Sequence, residues 1–248
     1  MQKKPYAAEP RLPRHGIARI LSKSGVASRT QAAAWVREGR VSVNGRVVRD
    51  PEFPASMDAD MISVDGRALD SVERVYLMLN KPRGLLTTAA DEKGRDTVYD
   101  CFVGSGLPWI APVGRLDKAS EGLLLFSNDP EWAARITDPD TGPDKTYRVQ
   151  VNRLVDPAQL AQIEQGVIVD GERLGAKSIG LLRAGEKNCW LEIVLEEGRN
   201  RQIRRLLEAF DIGVLRLIRV AIGTLPLGEL PKGQWRALSE EEVATLSS

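Results

Sequence analysis

Apolar residues at Ile17, Ile20 and Leu21 recur at helical spacing, so the chain predicts a short helix from Gly16 to Ser22 that Gly25 terminates. Ser28 reads as an N-cap, and Gln31 three residues later completes an S-x-x-Q capping box. A second helix therefore runs from about Arg29 to Glu38 and stops at Gly39. The period then changes to two. Val41-Ser42-Val43 and Val47-Val48 flank Asn44-Gly45-Arg46, the signature of a tight hairpin with glycine at positive φ. Ile62-Ser63-Val64 predicts another short strand, and the polar stretch from Asp65-Gly66 to Ser71 reads as a linker.

A longer segment follows in which strand and helix patterns alternate. Strands are expected at Val75–Asn80, Val113–Asp117, Gly122–Ser127, Lys145–Val151, Trp190–Glu196 and Val214–Ala221. Helices are expected near Pro130–Thr137, Pro157–Gln165 and Asn200–Phe210. Strand-rich runs with interspersed helices give an α+β class: a small αα-β module followed by a larger domain with a mixed or antiparallel sheet. Residues 1–14, with Lys, Arg and three prolines but few apolar groups, read as a disordered basic tail.

The length of 248 residues suits one large domain carrying a small module. Charge sharpens that division. The overall net charge is +1, but residues 1–49 hold 11 Lys or Arg against Glu9 and Glu38, a net of +9 that leaves −8 on the rest. A basic head before an acidic body points to a polyanion partner, with nucleic acid first among them. The single histidine, His15, removes zinc clusters built on several imidazoles and the Ser-His-Asp and Cys-His forms of catalysis. Catalysis must then use carboxylate, Tyr, Lys or Arg. Cys101 and Cys189 cannot build a disulfide framework, and without a secretory apolar segment they fit a reducing cytoplasm as buried core thiols. No apolar run reaches the roughly 18 residues of a membrane helix.

Three clusters carry candidate chemistry. Arg19, Lys23, Arg29, Arg37 and Arg40 surround the two small helices and suit phosphate. The string ILSKSGVASRTQAAAWVREGRVSVNGRVV resembles the S4 RNA-binding module over residues 15–71. In Gly114-Arg115-Leu116-Asp117-Lys118-Ala119-Ser120-Glu121-Gly122, a carboxylate follows an apolar strand and precedes a buried run, rigid yet reachable from a cleft. Gly198-Arg199-Asn200-Arg201-Gln202-Ile203-Arg204-Arg205 opens a helix with arginines at spacings of three and four, so two can share a face. Cations at a helix start oppose the helix dipole, a local conflict of the kind expected at functional sites.

NKPRGLLTT, PVGRLDKASEGLLLFSND, KTYRVQV, EGRNRQIRRL and LRLIRVAIG, in this order behind an S4-like module, resemble the RsuA-type family of ribosomal RNA pseudouridine synthases. The resemblance implies a catalytic domain over residues 72–248, with Asp117 as catalytic aspartate, Tyr147 as active-site tyrosine and Arg204 as the arginine paired with Asp117. Where the family often has Thr and Gly, this chain has Ser120 and Pro130. The implied reaction breaks the N1–C1′ bond of uridine and joins C5 to C1′, without cofactor or metal. A carboxylate kept charged by a neighbouring guanidinium attacks the substrate or assists ribose deprotonation. Tyr147 offers a face for stacking and a hydroxyl for proton removal at C5. The target nucleotide must flip into the cleft, with Arg115 filling the vacated space or gripping the flanking backbone, and Lys81, Arg83, Arg199, Arg201 and Arg205 contacting phosphate around the mouth. The expected partner is ribosomal RNA or a ribosome-assembly intermediate, with KTYRVQV and LRLIRV closer to large-subunit members, and the expected state is a cytoplasmic monomer. Two other readings stay open: a non-catalytic RNA-binding or ribosome-assembly protein, and a carboxylate glycosidase, which normally needs two acidic groups across a cleft.

Overall fold

The structure is a computed structural model that describes residues 14–69, 73–89, 91 and 93–247. The basic tail expected over residues 1–14 and the linker residue Ser71 lie outside the described residues, Arg14 excepted. The chain divides between Arg74 and Val75 into two compact units.

The first unit is the expected αα-β module. A two-residue pair, β1 (His15–Gly16), leads into α1 (Ile17–Lys23), and α2 (Arg29–Glu38) follows. The Ser28 hydroxyl accepts a hydrogen bond from the Gln31 N–H, and Gly39 closes α2 at φ 78°. β2 (Val41–Val43) and β3 (Arg46–Val48) turn at Asn44 and Gly45, with φ of 50° and 77°, the two positive values a type I′ turn demands. β4 (Pro54–Ala55) pairs with β1, while β5 (Ile62–Val64) and β6 (Arg67–Ala68) complete a sheet of order β3-β2-β5-β6. Part of the expected linker is thus strand β6, because Asp65-Gly66 forms a second tight turn with both φ positive. Ile17, Leu21, Ala32 and Val36 of the helices meet Val41, Val43 and Ile62 of the sheet in one core.

The second unit holds β7 (Tyr76–Lys81), a 3-10 turn (Val98–Phe102), β8 (Ala111–Val113), β9 (Glu121–Ser127), α3 (Pro130–Thr137), β10 (Lys145–Val151) and α4 (Pro157–Gln165). Then come the hairpin β11 (Val167–Val169) and β12 (Glu172–Leu174), β13 (Ser178–Ala184), β14 (Cys189–Leu195) and α5 (Gln202–Glu208). β15 (Val214–Ile222), β16 (Leu225–Pro226), β17 (Trp235–Ala237) and α6 (Glu240–Leu246) complete it. The main sheet runs β13-β14-β10-β15-β9-β7-β17, with β8 on β9 and β16 on β15. β15 and β9 pair in parallel and the other pairs are antiparallel, so the α+β reading with a mixed sheet is borne out.

β9 is central, and its alternate residues feed two cores. Leu124 and Phe126 join Leu79, Val149, Ile193 and Leu206 on one face, whereas Leu123 and Leu125 join Met78, Trp132, Ile136 and Leu246 on the other. Cys189 is buried in the first core, but Cys101 is only half-buried, contrary to expectation. Among the described residues no helix is long and apolar enough to cross a membrane.

Candidate active site

The strand expected to run through Asp117 ends at Val113, because Gly114 takes φ 75° and breaks the extended run. Asp117 therefore sits in a loop between β8 and β9 rather than at a strand end. Four groups pin that loop. The Thr87 hydroxyl donates to the Leu116 carbonyl at 2.7 Å, and the Gly84 N–H donates to the Lys118 carbonyl at 2.8 Å. Arg204 Nη2 donates to the Ala119 carbonyl at 3.3 Å. Lys81, fully buried, sends its ammonium to the carbonyls of Pro82, Asp117 and Ser120 at 3.1, 3.3 and 3.0 Å. Burial pushes the Lys81 pKa down to about 8, against the opposing pull of Asp117, Cys101 and Glu121. The sequence reading made Lys81 a phosphate contact; it is not one, because the neighbouring carbonyl of Pro82 and the distant carbonyls of Asp117 and Ser120 enclose its ammonium.

Asp117 lines two concavities at once. The larger, about 590 Å³, reaches from Gly114–Asp117 past Tyr147 to the start of α5. The smaller, about 500 Å³, is lined by Thr87, Asp91, Lys93, Arg95 and Arg115–Lys118. Tyr147 lies on β10 among its inward residues, 8% exposed, and faces the larger cleft. The Asp117 side chain keeps 40% of its exposure, which leaves it reachable from solvent. Of the three other carboxylates on the cleft wall, Asp138, Asp140 and Glu197, Asp138 accepts from the Thr141 and Asp140 N–H groups at 2.8 and 2.9 Å, and Glu197 binds Arg199 at 2.7 Å.

The arginines of the α5 start part company. Arg201 holds a left-handed backbone, φ 49° and ψ 31°, and its guanidinium stands 3.9 Å from the Asp117 carboxylate. Arg204, three residues on, turns to the same cleft but commits Nη1 and Nη2 to the carbonyls of Val214 and Ala119, and its Nε is buried without a partner among the described residues. The arginine at ion-pair distance from Asp117 is therefore Arg201, not Arg204, which acts on the loop behind the aspartate. Burial, then Arg201 and Arg83, hold the Arg204 pKa below its ordinary value, while Asp117 acts the other way. Arg205 faces away and binds Glu172 of the β11–β12 hairpin at 2.6 Å. Arg199 binds Glu197 and, at 3.2 Å, the same Glu172. Both are tied to carboxylates within the unit rather than presented to phosphate, a difference spacing alone could not reveal. Arg83 and Arg115 remain exposed, and Arg115 lines both concavities.

In the first unit Arg19, Lys23, Arg29 and Arg37 lie exposed on α1 and α2, with Arg29 3.8 Å from Glu52. Arg40 is more committed, stacked over Trp35 at 5.0 Å and bound to Asp65 at 2.6 Å. Two cleft cations had no reading from sequence: Lys145, two residues before Tyr147 on β10, and Arg219, the cross-strand partner of Tyr147 on β15. Strand alternation was the available signal for Lys145, two residues from Tyr147 and so on the same face.

Residues 75–209 match the family model described as RNA pseudouridylate synthase, and residues 16–61 match the S4 domain. The chain belongs to the RNA pseudouridylate synthase family. Among its relatives, a ribosomal large subunit pseudouridine synthase B of Bacillus subtilis (strain 168) is 36% identical, over 93% of this chain and 94% of that one. The protein of the same name from Escherichia coli (strain K12) is 38% identical, over 90% and 78%. An uncharacterized RNA pseudouridine synthase of Aquifex aeolicus is 39% identical, over 93% and 92%. A crystal structure of a pseudouridylate synthase, 29% identical, superposes with a TM-score of 0.66 and covers 95% of this chain and 100% of that chain. The resemblance read from the five strings and the S4-like module is thus borne out.

Proposed function

We propose that the protein converts a uridine of large-subunit ribosomal RNA to pseudouridine, in the cytoplasm and without cofactor, with Asp117 as the catalytic carboxylate. The observation that carries this reading is the placement of Asp117: half-exposed on a loop pinned by Lys81, Gly84, Thr87 and Arg204, at the junction of two concavities, with Tyr147 across the larger one. A rigidly held carboxylate beside guanidinium groups is suited to attack at ribose C1′ or to assist removal of a ribose proton. The flipped uracil enters the larger cleft and stacks on Tyr147, whose hydroxyl serves the C5 proton. Arg201 steadies the carboxylate from the solvent side, and Arg204 fixes the loop from below. Phosphates on either side of the target meet Arg83 and Arg115, which form no ion pair among the described residues. The first unit, with Arg19, Lys23, Arg29 and Arg37 exposed, adds affinity through backbone contacts that carry no sequence information.

The large-subunit assignment rests on the names of the Bacillus and Escherichia relatives. Mapping pseudouridines in ribosomal RNA from a strain lacking the gene tests it: loss of a single modified site in large-subunit RNA is expected, and loss confined to small-subunit RNA would reverse it.

A further inference from the structure

The floor of the larger cleft holds two cations to which the reaction scheme above gives no task. Lys145 and Arg219 are 9% and 5% exposed and both line that cleft. The sheet puts them beside Tyr147. Lys145 and Tyr147 share the inward face of β10, and Arg219 of β15 is the cross-strand partner of Tyr147. A charge removed from water ordinarily finds a carboxylate. Among the described residues neither of these has one within ion-pair distance. Lys145 Nζ donates to the Glu196 carbonyl at 3.4 Å, and Arg219 Nε donates to the Leu123 carbonyl at 2.7 Å. Arg219 Nη2 is buried without a partner. Burial and the charge of Arg219 hold the Lys145 pKa below its usual range, with Asp144 and Asp138 acting the other way from beyond ion-pair distance.

Two desolvated cations on one wall, with no carboxylate of the described residues at ion-pair distance, make a receptor for negative charge. We propose that Lys145 and Arg219 receive the carbonyl oxygens of the flipped uracil and stabilise the charge the ring acquires when the N1–C1′ bond breaks. This rests on the assignment of uridine isomerisation to the cleft. On heterolysis the bonding pair stays with N1 and spreads over O2 and O4, while C1′ is left electron-poor. The ring then turns, C5 bonds to C1′, the C5 proton departs and N1 ends protonated, so atoms and electrons balance without a co-reactant. Cations held ready at the oxygens where charge develops act most strongly in a low-dielectric site. A backbone phosphate is the poorer fit, because the RNA chain must leave the cleft in both directions. The base is the part of a nucleotide that can end at a buried wall, and exposed Arg83 and Arg115 serve the phosphates.

The test compares Lys145→Met and Arg219→Gln with wild type, using tritium release from uridine-5-tritiated RNA at saturation, RNA affinity, and the salt slope of binding. Turnover should fall about a hundredfold or more, the size of effect seen when one charge-stabilising donor is removed from an active site, while Kd stays within about threefold and the salt slope is unchanged. Lys145→Arg and Arg219→Lys, which keep the charge, should remain within about tenfold of wild type, a rescue that a purely packing role would not produce. If a charge-removing variant fails to fold, the other decides the question. Turnover near wild type in a folded charge-removing variant would overturn the proposal. So would weakened affinity with a shallower salt slope, which would make the residue a phosphate contact. A silent wild type would overturn the isomerase assignment along with it, whereas an active wild type and an active Lys145→Met would overturn the charge-receiving role alone.

Discussion

Replacing Lys81 by Met tests the loop that holds Asp117, because stability and activity should respond to pH with opposite signs. The ammonium is fully buried and donates to three carbonyls at 3.0–3.3 Å. Hydrogen bonds from a charged donor contribute about 1.5–3 kcal/mol each, so the three together supply roughly 4–9 kcal/mol. Burial lowers the pKa from 10.5 to about 8, and at 1.36 kcal/mol per unit the charged form costs the folded state about 3 kcal/mol. Lys81→Met removes both terms and should lose a net ~1–6 kcal/mol at pH 7, measured by urea unfolding followed through tryptophan fluorescence. The folded pKa lies below the unfolded one, so the penalty is present in full below pH 8 and is relieved as pH rises towards 10.5. The wild-type advantage over Lys81→Met should therefore change between pH 7 and 10 in the direction of added wild-type stability, by about 2–3 kcal/mol. Over the same range turnover should fall, since a neutral amine offers only two N–H groups to three carbonyls and the Asp117 loop loosens. A difference between the two proteins that stays flat from pH 7 to 10, within about 0.5 kcal/mol, would refute the buried ammonium.

Arg115→Ala should weaken RNA binding and lower the salt slope of log K by about 0.7–0.9, whereas Arg205→Ala should leave both unchanged and lower the melting temperature, since Arg205 anchors the β11–β12 hairpin through Glu172. Arg19→Ala, Lys23→Ala and Arg37→Ala combined should lower the salt slope by about 2 while turnover at saturating RNA stays at the wild-type level. Glu121, 3% exposed at its side chain, is pushed up by burial but held below its usual range by Arg216 and Lys232. Its stabilisation is present above the unfolded carboxylate pKa and lost as pH falls through the lower folded value, and Glu121→Gln should cost about 3–5 kcal/mol at pH 7 in urea unfolding.

Elements with their own start and stop chemistry were legible in the sequence. Asn44-Gly45 defined a hairpin, Ser28 and Gly39 bracketed α2, and Pro130 and Pro157 marked the first turns of α3 and α4 behind Asp129 and Asp156. β13 escaped because its exposure is nearly continuous along the strand, leaving no alternation to read. α6 carried a signal that went unread, the Ser239–Glu242 capping box. Within the site, Asp117 and Tyr147 stood out by motif, but the fate of each cation depended on residues far away in the chain. Arg205 meets a carboxylate 33 residues distant, and the Lys81 ammonium reaches carbonyls up to 39 residues on. Three arginines within five residues thus produced one guanidinium at Asp117, one behind its loop and one on a hairpin.

Tritium release from uridine-5-tritiated large-subunit ribosomal RNA by wild type and Asp117→Asn measures whether Asp117 performs uridine isomerisation. The amide keeps the shape of the carboxylate and its place in the loop but not its charge or nucleophilicity. Wild type should release label and Asp117→Asn should release none above background, with RNA affinity within a few-fold of wild type. Turnover by Asp117→Asn within about tenfold of wild type would contradict the account, since losing a group that acts in the transition state should cost several kcal/mol.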